Sequence, residues 1–296
     1  MESFAQFFQY VLTGITVGAI YALVALGYNA IYNVTEVINF AQGEFVVLGG
    51  LVMVFAVNSL HLSILTGFVF SVAVVAFLGA FMERFTIQPL QNASVLTLII
   101  ITIAVSIIFR GLAMLVWGRD PYSLKAFSNH PPIHVFNAII QPQALWVLAI
   151  TSMVVVLLSL FFKYTMFGKA MLACADNPDA SRLMGIPVKK MILVSFILSA
   201  AMGAIAGIVI TPISLMEYDR GALLGLKGFG ASVLGGLGSF SGAVVAGLVL
   251  GLIEALCAGY LSSGYKDAVA LIVLLLVLFI RPSGLFAGKR ASLKKF

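Results

Sequence analysis

Apolar runs of about 20 residues recur along the whole chain, and they limit its fold more than any other feature. Each run is long enough to cross roughly 30 Å of hydrocarbon as an α-helix rising about 1.5 Å per residue. The chain is 61% hydrophobic and only 9% charged, whereas a soluble domain has about 25% charged residues. A β-barrel would instead show alternating segments of about 10 residues. The sequence therefore predicts an all-α integral membrane protein with a single transmembrane domain over residues 1–296.

The apolar runs divide into nine segments. They cover residues 7–32, 44–60, 62–83, 94–117, 144–163, 191–212, 222–237, 240–260 and 266–281. The seventh segment is short and rich in glycine, so we predict a polytopic helical bundle of about eight to nine spans. The first segment lacks a basic n-region and is too long for the apolar region of a signal peptide. We therefore expect it to be a membrane helix.

Two basic regions predict the orientation. Cytoplasmic loops carry an excess of Lys and Arg, so we place both regions in the cytoplasm. Each crossing moves the chain to the other side of the membrane, and both basic regions lie on one side only if 222–237 is counted as a crossing. Counting back along the chain then puts Arg84 inside and both the loop 118–143 and the N-terminus outside. In the alternative, 33–43 is a re-entrant break and the N-terminus lies inside. The basic residues are Lys163, Lys169, Arg182, Lys189 and Lys190 in the middle loop, and Arg281, Lys289, Arg290, Lys294 and Lys295 in the tail.

Three polar residues interrupt the apolar pattern in the stretch NFAQGEF, namely Asn39, Gln42 and Glu44. A carboxylate in a membrane helix is costly and usually faces protein or water. Two interpretations stay open: these residues line or gate a translocation path, or they hold a structural break together. Glu254 stands alone in its apolar segment, which favours a structural hydrogen bond. Other charged residues are expected at or near the outer face: Arg110, Glu217, Asp219, Arg220 and Lys227.

Short sequence motifs recur in the two halves of the chain. GAI begins at Gly18 and again at Gly203, and LGG ends at Gly50 and again at Gly236. Such matches either arise by chance or mark an inverted repeat with halves of about 1–163 and 191–281. Inverted repeats with interrupted helices are typical of transporters.

Glycines four residues apart form a second pattern, at 238 and 242 and at 247 and 251. This spacing lets helix backbones approach closely. Packing within the subunit is favoured over a dimer contact.

No constellation of catalytic or metal-binding residues appears. His61, His130 and His134 fall in predicted outer loops, and two prolines between the last two argue against a helical metal-binding pair. Cys174 and Cys257 imply no disulfide framework. The net charge of +6 does not suggest nucleic-acid binding, because its distribution fits membrane orientation instead. We predict no catalytic residue, no metal and no cofactor bound by this chain.

The cytoplasmic loop 164–190 contains a predicted short helix in the stretch NPDASRLMG. Asn177 is its candidate N-cap, Pro178 lies at the first helical position, and Gly185 is a candidate stop. Ala175 and Ala180 keep the surface of the segment small. From the residues alone, the segment is either a plain solvated loop or a helix that docks into a groove on a partner.

Four stretches spread over the chain resemble the LivH-type permeases of branched-chain amino acid importers. The resemblance implies a type II-like ABC importer permease in the bacterial inner membrane, surrounded by lipid. It implies a homologous second permease subunit, two ATPase subunits and a periplasmic substrate-binding protein as partners. It also places Gly168, Ala175, Asn177, Ala180 and Gly185 in the segment that couples to the ATPase. The four stretches are YALVALGYNAIYNVTEVINFAQGEF, GKAMLACADNPDASRLMGI, KGFGASVLGGLGSFSGAVVAGLVLGLIE and RPSGLFAGK.

The sequence agrees with this division of labour, because it contains no G-x-x-x-x-G-K-[ST] phosphate loop. ATP and Mg²⁺ are therefore expected in the partner subunits, and this chain is expected to be a transporter subunit rather than an enzyme. The resemblance implies leucine, isoleucine and valine as substrates, moved by alternating access. Urea, amides or other amino acids stay open as substrates. An ion-coupled secondary transporter and a passive channel are the alternatives from other classes.

Overall fold

The computed structural model describes residues 2–90, 93–128, 130–135, 138–281 and 284–286, and most of them are helical. A π-helical turn, Glu83–Ile87, follows α3, and a short antiparallel hairpin pairs Ile133–Val135 with Ala138–Ile140. The helices are α1 Glu2–Thr35, α2 Gln42–Asn58, α3 Ile64–Met82, α4 Val95–Trp117, α5 Pro142–Tyr164, α6 Met166–Asp176, α7 Pro178–Leu183, α8 Val188–Ile210, α9 Arg220–Gly235, α10 Phe240–Tyr260 and α11 Lys266–Ile280.

Each of the nine predicted segments coincides with a helix, but they differ in their ability to span a bilayer. In the part of the chain that the structure describes, 7 helices are long and apolar enough to cross a membrane. One of the seven is the continuous span Ser263–Ile280, with 18 residues, in which a 3-10 turn, Ser263–Tyr265, precedes α11. The other two predicted segments form α2, with 17 residues, and α9, with 16. At roughly 1.5 Å per residue both are shorter than roughly 30 Å of hydrocarbon. The protein is therefore a multi-pass helical membrane protein with two short helices among its long ones.

The two short helices lie inside the bundle, whereas several long helices form its periphery. Nearly all residues of α2 are buried, and α1 and α8 are largely buried as well. Helices α4 and α11 instead expose large apolar side chains such as Leu115 and Phe279. Apolar side chains can face outward here because hydrocarbon, unlike water, solvates them without cost. The interior consequently depends on close packing and on polar contacts.

The basic residues of the loop 164–190 mark one end of the bundle, which we call the basic end. Gln88 and Pro89 lie beside Lys189 and Lys190 there, and the ring of Phe162 stacks on Phe240 with centroids 4.6 Å apart. These contacts bring the ends of α3, α5 and α9 to the same side as the loop 164–190. In the tail, Lys289, Arg290, Lys294 and Lys295 lie outside the described residues.

The opposite end, which we call the far end, contains the start of α1. The side chain of Gln9 exchanges two hydrogen bonds with the backbone of Ile139. Tyr122 and Met216 pair through their backbones at the same end. If the basic end is cytoplasmic, the start of α1 is outside, as the parity of crossings predicts. His134 lies at this end too, because it pairs with Ile139 in the hairpin.

Helices α1 and α10 cross on glycines, with their backbones in contact. A Cβ atom at Gly251 would overlap the backbone of Gly18, and one at Gly247 would overlap Ala22. Gly242 packs in the same way on Gly235, beside the turn that joins α9 to α10. The glycines that the sequence spaces four apart therefore pack within the subunit, as predicted.

We expect Gly251→Ala to destabilise the protein, because the added methyl group meets backbone atoms that cannot move aside independently. Overpacking of this kind costs about 1–3 kcal/mol or more. Gly111→Ala is the matched control, since it lies in α4 and a Cβ atom added there would have no neighbouring atom within 4 Å. Thermal unfolding in detergent measures both. Equal unfolding temperatures for the two variants would contradict the proposed packing.

Candidate functional site

The helical conformation is interrupted between α1 and α2, over residues 36–41. We call this segment the break, and it leads the chain back to the middle of the bundle. The Gln42 amide donates to the carbonyl of Ser199 at 3.1 Å, and Ser199 is the midpoint of α8. The Ser199 hydroxyl lies 2.8 Å from the carbonyl of Gly27, so the start of α2 is level with the interior of α1. A Cβ atom at Gly27 would overlap the Gln42 side chain. Glycine at this position thus makes room for the buried amide.

Polar groups of the break satisfy its backbone. The Asn39 carboxamide oxygen accepts from the N–H of Ala41 at 3.0 Å, and the Thr102 hydroxyl of α4 accepts from the N–H of Phe40 at 3.1 Å. Unsatisfied backbone groups cost several kcal/mol in hydrocarbon, so these bonds let the chain leave the helical conformation here. Asn39 therefore has a structural contact that accounts for its position, although its side-chain Nδ2 has no hydrogen-bond partner.

Glu44 forms an ion pair inside the bundle. Its carboxylate accepts from the guanidinium of Arg110 in α4 at 2.8 Å and from the hydroxyl of Ser106 at 3.0 Å. The Glu44 side chain is 2% exposed and that of Arg110 is 33% exposed. The sequence placed Arg110 at or near the outer face, but it reaches inward because its charge compensates the buried carboxylate.

The start of α9 meets the start of α2 at Glu44. Gly43 packs against Gly221 and Gly225 so closely that no side chain fits between the two helices. The Glu44 carboxylate lies against Gly221 in the first turn of α9. From this contact α2 runs to the far end, where Gly50 meets Met216, and α9 runs to the basic end. Two interrupted helices therefore begin at one point and run in opposite directions.

The structure brings the three predicted pathway residues together at this junction, but their side chains turn to different neighbours. Asn39 caps its own turn, Gln42 binds α8, and Glu44 binds α4. All three side chains are buried. Their part in translocation stays a prediction.

A second cluster of charges joins four helices nearer to α11. Lys227 of α9 lies 2.7 Å from the carboxylate of Glu254 in α10 and 2.5 Å from that of Asp267 in α11. The hydroxyl of Tyr21 in α1 donates to Glu254 at 2.7 Å. The structural hydrogen bond expected between Glu254 and a neighbouring helix is thus confirmed. The expectation for Lys227 was wrong, because this residue is buried rather than at or near the outer face. Lys227 and Glu254 are 27 residues apart on different helices, so no sequence pattern links them.

The coupling segment forms two helices at the basic end. Asn177 caps α7, with its side-chain oxygen accepting from the N–H groups of Asp179 and Ala180 at 3.0 Å each. Gly185 has a φ of 81°, a conformation suited to glycine, just after α7 ends. The cap and the stop are confirmed. The sequence did not predict α6, which precedes α7.

The five predicted coupling residues differ in exposure. Gly168 is buried against the backbone of Phe161, and Ala175 is half-buried. Asn177, Ala180 and Gly185 are exposed. Their roles in coupling remain predictions.

Two large apolar residues at the tip of α7 escaped the sequence analysis, which emphasised the small residues there. Leu183 is 90% exposed and Met184 is 82% exposed. They lie next to a groove of about 790 Å³ whose lining includes Arg182, Lys189 and Lys190. Apolar side chains beside a cationic groove are typical of a surface that binds another protein.

The coupling helices are anchored by a buried face. Burial raises the pKa of the Cys174 thiol in α6, which outweighs the opposing effects of Ser181 and Arg182. The thiol therefore stays protonated at neutral pH and acts as a small apolar group rather than as a nucleophile. Among the described residues, no group of three or more His, Cys, Asp or Glu side chains could hold a metal ion.

Two asparagines of α1, one buried and one half-buried, were not predicted from the sequence to have a role. Asn29 and Asn33 lie four residues apart in α1 and bind the turn that joins α9 to α10. The Asn29 amide donates to the carbonyl of Ser239 at 3.0 Å, and Asn33 donates to that of Gly238 at 3.1 Å. Two amides on one face of an apolar helix are the signal that could have revealed this contact.

The sequence pattern of a protein family described as "Branched-chain amino acid transport system / permease component" matches residues 10–278. The permease protein LivH of the high-affinity branched-chain amino acid transport system of Escherichia coli K12 is 33% identical over 297 residues, covering 96% of each chain. BraD of Pseudomonas aeruginosa is 32% identical over 300 residues, with 96% of this chain and 97% of BraD covered. A probable LivH of Methanocaldococcus jannaschii is 30% identical over 305 residues, with 92% of this chain and 90% of that relative covered.

We expect Lys227→Met to destabilise the fold strongly, because it leaves the carboxylates of Glu254 and Asp267 without their cation. Breaking a buried pair by removing one partner costs about 3–5 kcal/mol. The triple variant Lys227→Met, Glu254→Gln, Asp267→Asn removes all three charges and should recover much of the loss. Thermal unfolding in detergent measures both. A single variant as stable as the original chain would show that the cluster contributes nothing.

Proposed function

The chain belongs to the family of branched-chain amino acid transport permeases, and we propose that it is the membrane-spanning subunit of an ATP-driven importer of leucine, isoleucine and valine. The observation that carries this proposal is the family match over residues 10–278. LivH and BraD, both named as branched-chain amino acid transport permeases, also align over nearly the full chain. The substrate follows from the names of those relatives. Importers of urea, amides or other amino acids are the alternative within the same class.

The proposed assembly contains a second, homologous permease subunit, two ATPase subunits and a periplasmic substrate-binding protein in the bacterial inner membrane. The coupling segment 164–190 would contact the ATPase. The exposed pair Leu183 and Met184 supports this assignment, because exposed apolar side chains on a short helix outside the apolar spans favour burial by a partner. The cations of the adjacent groove favour an acidic rim on that partner.

The proposed topology combines the two short helices with their linkers. The segment 36–58 would cross from the basic end to the far end, and 211–235 would cross back. Each would contain a break at the centre of the bundle, which gives nine crossings, two more than the described helices that span alone. Helices α1 and α8 run in opposite directions, as do α2 and α9. This geometry supports an inverted repeat with halves of about 1–163 and 191–281.

The proposed mechanism is alternating access around the junction of α2 and α9. ATP binding and hydrolysis in the partner would move the coupling segment, and α5 and α8, which flank it in the chain, would transmit the motion. Asn39, Gln42 and Glu44 would line or gate the path where the two interrupted helices meet. The contact through Gly43, Gly221 and Gly225 supports a gate, because helices that meet on glycines can separate without unlocking side chains.

The coupling surface can be tested with the double variant Leu183→Glu, Met184→Glu. We expect it to lose co-purification of the ATPase subunits and ATP-driven leucine uptake, because two charges replace the apolar contact. Its fold should survive, since both side chains face solvent in the isolated chain. Leu261→Glu, at an exposed leucine of the far end, is the matched control. Retention of the ATPase by the double variant would contradict the assignment, as would an importer that moves leucine without any ATPase.

The pathway assignment predicts different outcomes for two buried carboxylates. Glu44→Gln should impair uptake more than Glu254→Gln at equal expression, because it leaves Arg110 without its counter-ion in the proposed path. In Glu254→Gln, Lys227 keeps Asp267 as its partner. Initial rates of leucine uptake into cells that express each variant provide the measurement. The reverse order of impairment would move the path away from Glu44.

A further inference from the structure

We propose that Glu44 and Arg110 form the site that receives the main-chain charges of the transported amino acid. The guanidinium of Arg110 would bind the substrate carboxylate, and the carboxylate of Glu44 would bind the substrate ammonium group. The site would therefore select zwitterions, whatever their side chain. This inference rests on the proposed function, because it concerns the step in which an amino acid passes the junction of α2 and α9.

The ion pair supplies the two charges that a zwitterion needs, in complementary order. Glu44 and Arg110 are 2.8 Å apart and neutralise each other when no substrate is present. A substrate that inserts between them replaces one ion pair by two, and the net charge of the site stays zero. Such an exchange avoids leaving an unpaired charge in a medium of low dielectric constant. A lone buried carboxylate could not accept a zwitterion in this way.

Arg110 also has a hydrogen-bond donor that no residue of the chain uses. Its Nε atom is buried and has no hydrogen-bond partner, although a guanidinium carries five N–H donors. The side chain of Arg110 is 33% exposed and that of Glu44 is 2% exposed, so Arg110 is the more exposed residue of the pair. A carboxylate binds guanidinium through two parallel hydrogen bonds. The unfilled donor thus points to a carboxylate ligand.

The helix ends around the pair favour an anion as well. Neither α2 nor α9 has a side-chain hydrogen bond at its N-cap, which is Ala41 in one and Asp219 in the other. The positive ends of both helix dipoles therefore lie near Glu44 and Gly221 without a side-chain cap. In this conformation the Glu44 carboxylate occupies that position. A substrate carboxylate could share this stabilisation once the helices separate.

Apolar side chains border the pair, which suits an aliphatic substrate. Phe45 and Phe109 follow and precede the two charged residues in sequence, and their ring centroids are 6.0 Å apart. On the side of α9, the ring of Phe229 lies 5.8 Å from those of Tyr28 and Phe40. Such surroundings bind a branched aliphatic side chain without specific contacts, which leaves the zwitterion as the feature that is recognised.

The cluster around Lys227 does not compete for this role. It holds two carboxylates and one cation, all engaged with one another, and both Lys227 and Glu254 are buried. A substrate carboxylate would meet an excess of negative charge there. The two clusters thus provide a natural pair for comparison.

The test uses the complete importer, purified without its binding protein, and measures thermal unfolding with millimolar leucine. Two probes each lack one charge: 4-methylpentanoate has no ammonium group, and isopentylamine has no carboxylate. We expect leucine to raise the unfolding temperature of the original complex more than either probe does. In the double variant Glu44→Gln, Arg110→Gln, the shift with leucine should vanish. Uptake in proteoliposomes that also contain the binding protein should fall at least about tenfold.

The double variant removes both charges together, so a purely structural ion pair predicts a different result. Replacing both members of a buried pair is often tolerated, and a structural pair would leave the leucine shift and most of the uptake intact. That outcome would overturn the inference, as would an original complex that leucine does not stabilise. If the double variant fails to assemble, Arg110→Lys replaces it. This variant keeps the charge but loses the paired donors, and unchanged leucine binding would then refute the site.

Failure of the inference differs from failure of the proposed function. An original importer that moves leucine with ATP while the charge variants still bind it would refute the site alone. An original importer that moves no branched-chain amino acid with ATP would refute the proposed function.

Discussion

The break between α1 and α2 depends on polar groups that replace the lost helical hydrogen bonds. In hydrocarbon, a backbone N–H or C=O group that leaves a helix finds no water to bind. Asn39 and Thr102 supply partners for backbone groups of this stretch, from the break itself and from α4. The Gln42 side chain adds a contact to α8 by donating to the carbonyl of Ser199. Because these contacts come from three places in the chain, the break depends on the folded bundle. The level at which α2 begins, and hence its meeting with α9, follows from that requirement.

The buried charges follow the same rule of internal compensation. Glu44 draws Arg110 inward from α4, and Lys227 holds α9, α10 and α11 together through Glu254 and Asp267. Helix α11 buries Ala270 and Leu274, and the ion pair at Asp267 adds a polar contact to its attachment. A single charged side chain inside the membrane has a high free-energy cost, but an oppositely charged partner on another helix turns the pair into a contact between helices. The interrupted helices are thereby fixed to the periphery by paired charges as well as by apolar packing.

Much of the fold could be predicted from the sequence because length and hydropathy are local properties. All nine apolar segments are helices, the cap at Asn177 and the stop at Gly185 are where the residues indicated, and the basic loop gathers at one end. The errors concern single residues whose partners lie far away along the chain. Lys227 was assigned to the outer face because a lysine next to glycines gives no hint of Glu254. The exposed pair Leu183 and Met184 was overlooked since an apolar residue has no local sign of being unburied.

The residues alone establish that the chain is an integral membrane protein and which family it resembles. They also indicate which loop is basic and where a helix is interrupted. Composition, charge and short motifs carry this information because each depends on neighbouring residues. The three-dimensional packing was needed to learn that α2 and α9 begin at one point, that Glu44 meets Arg110, and that glycines of α1 and α10 touch. Many of these contacts join residues far apart in the chain, such as Tyr21 and Glu254, which are 233 positions apart. Their energies depend on close packing in a medium without water, which no local pattern records.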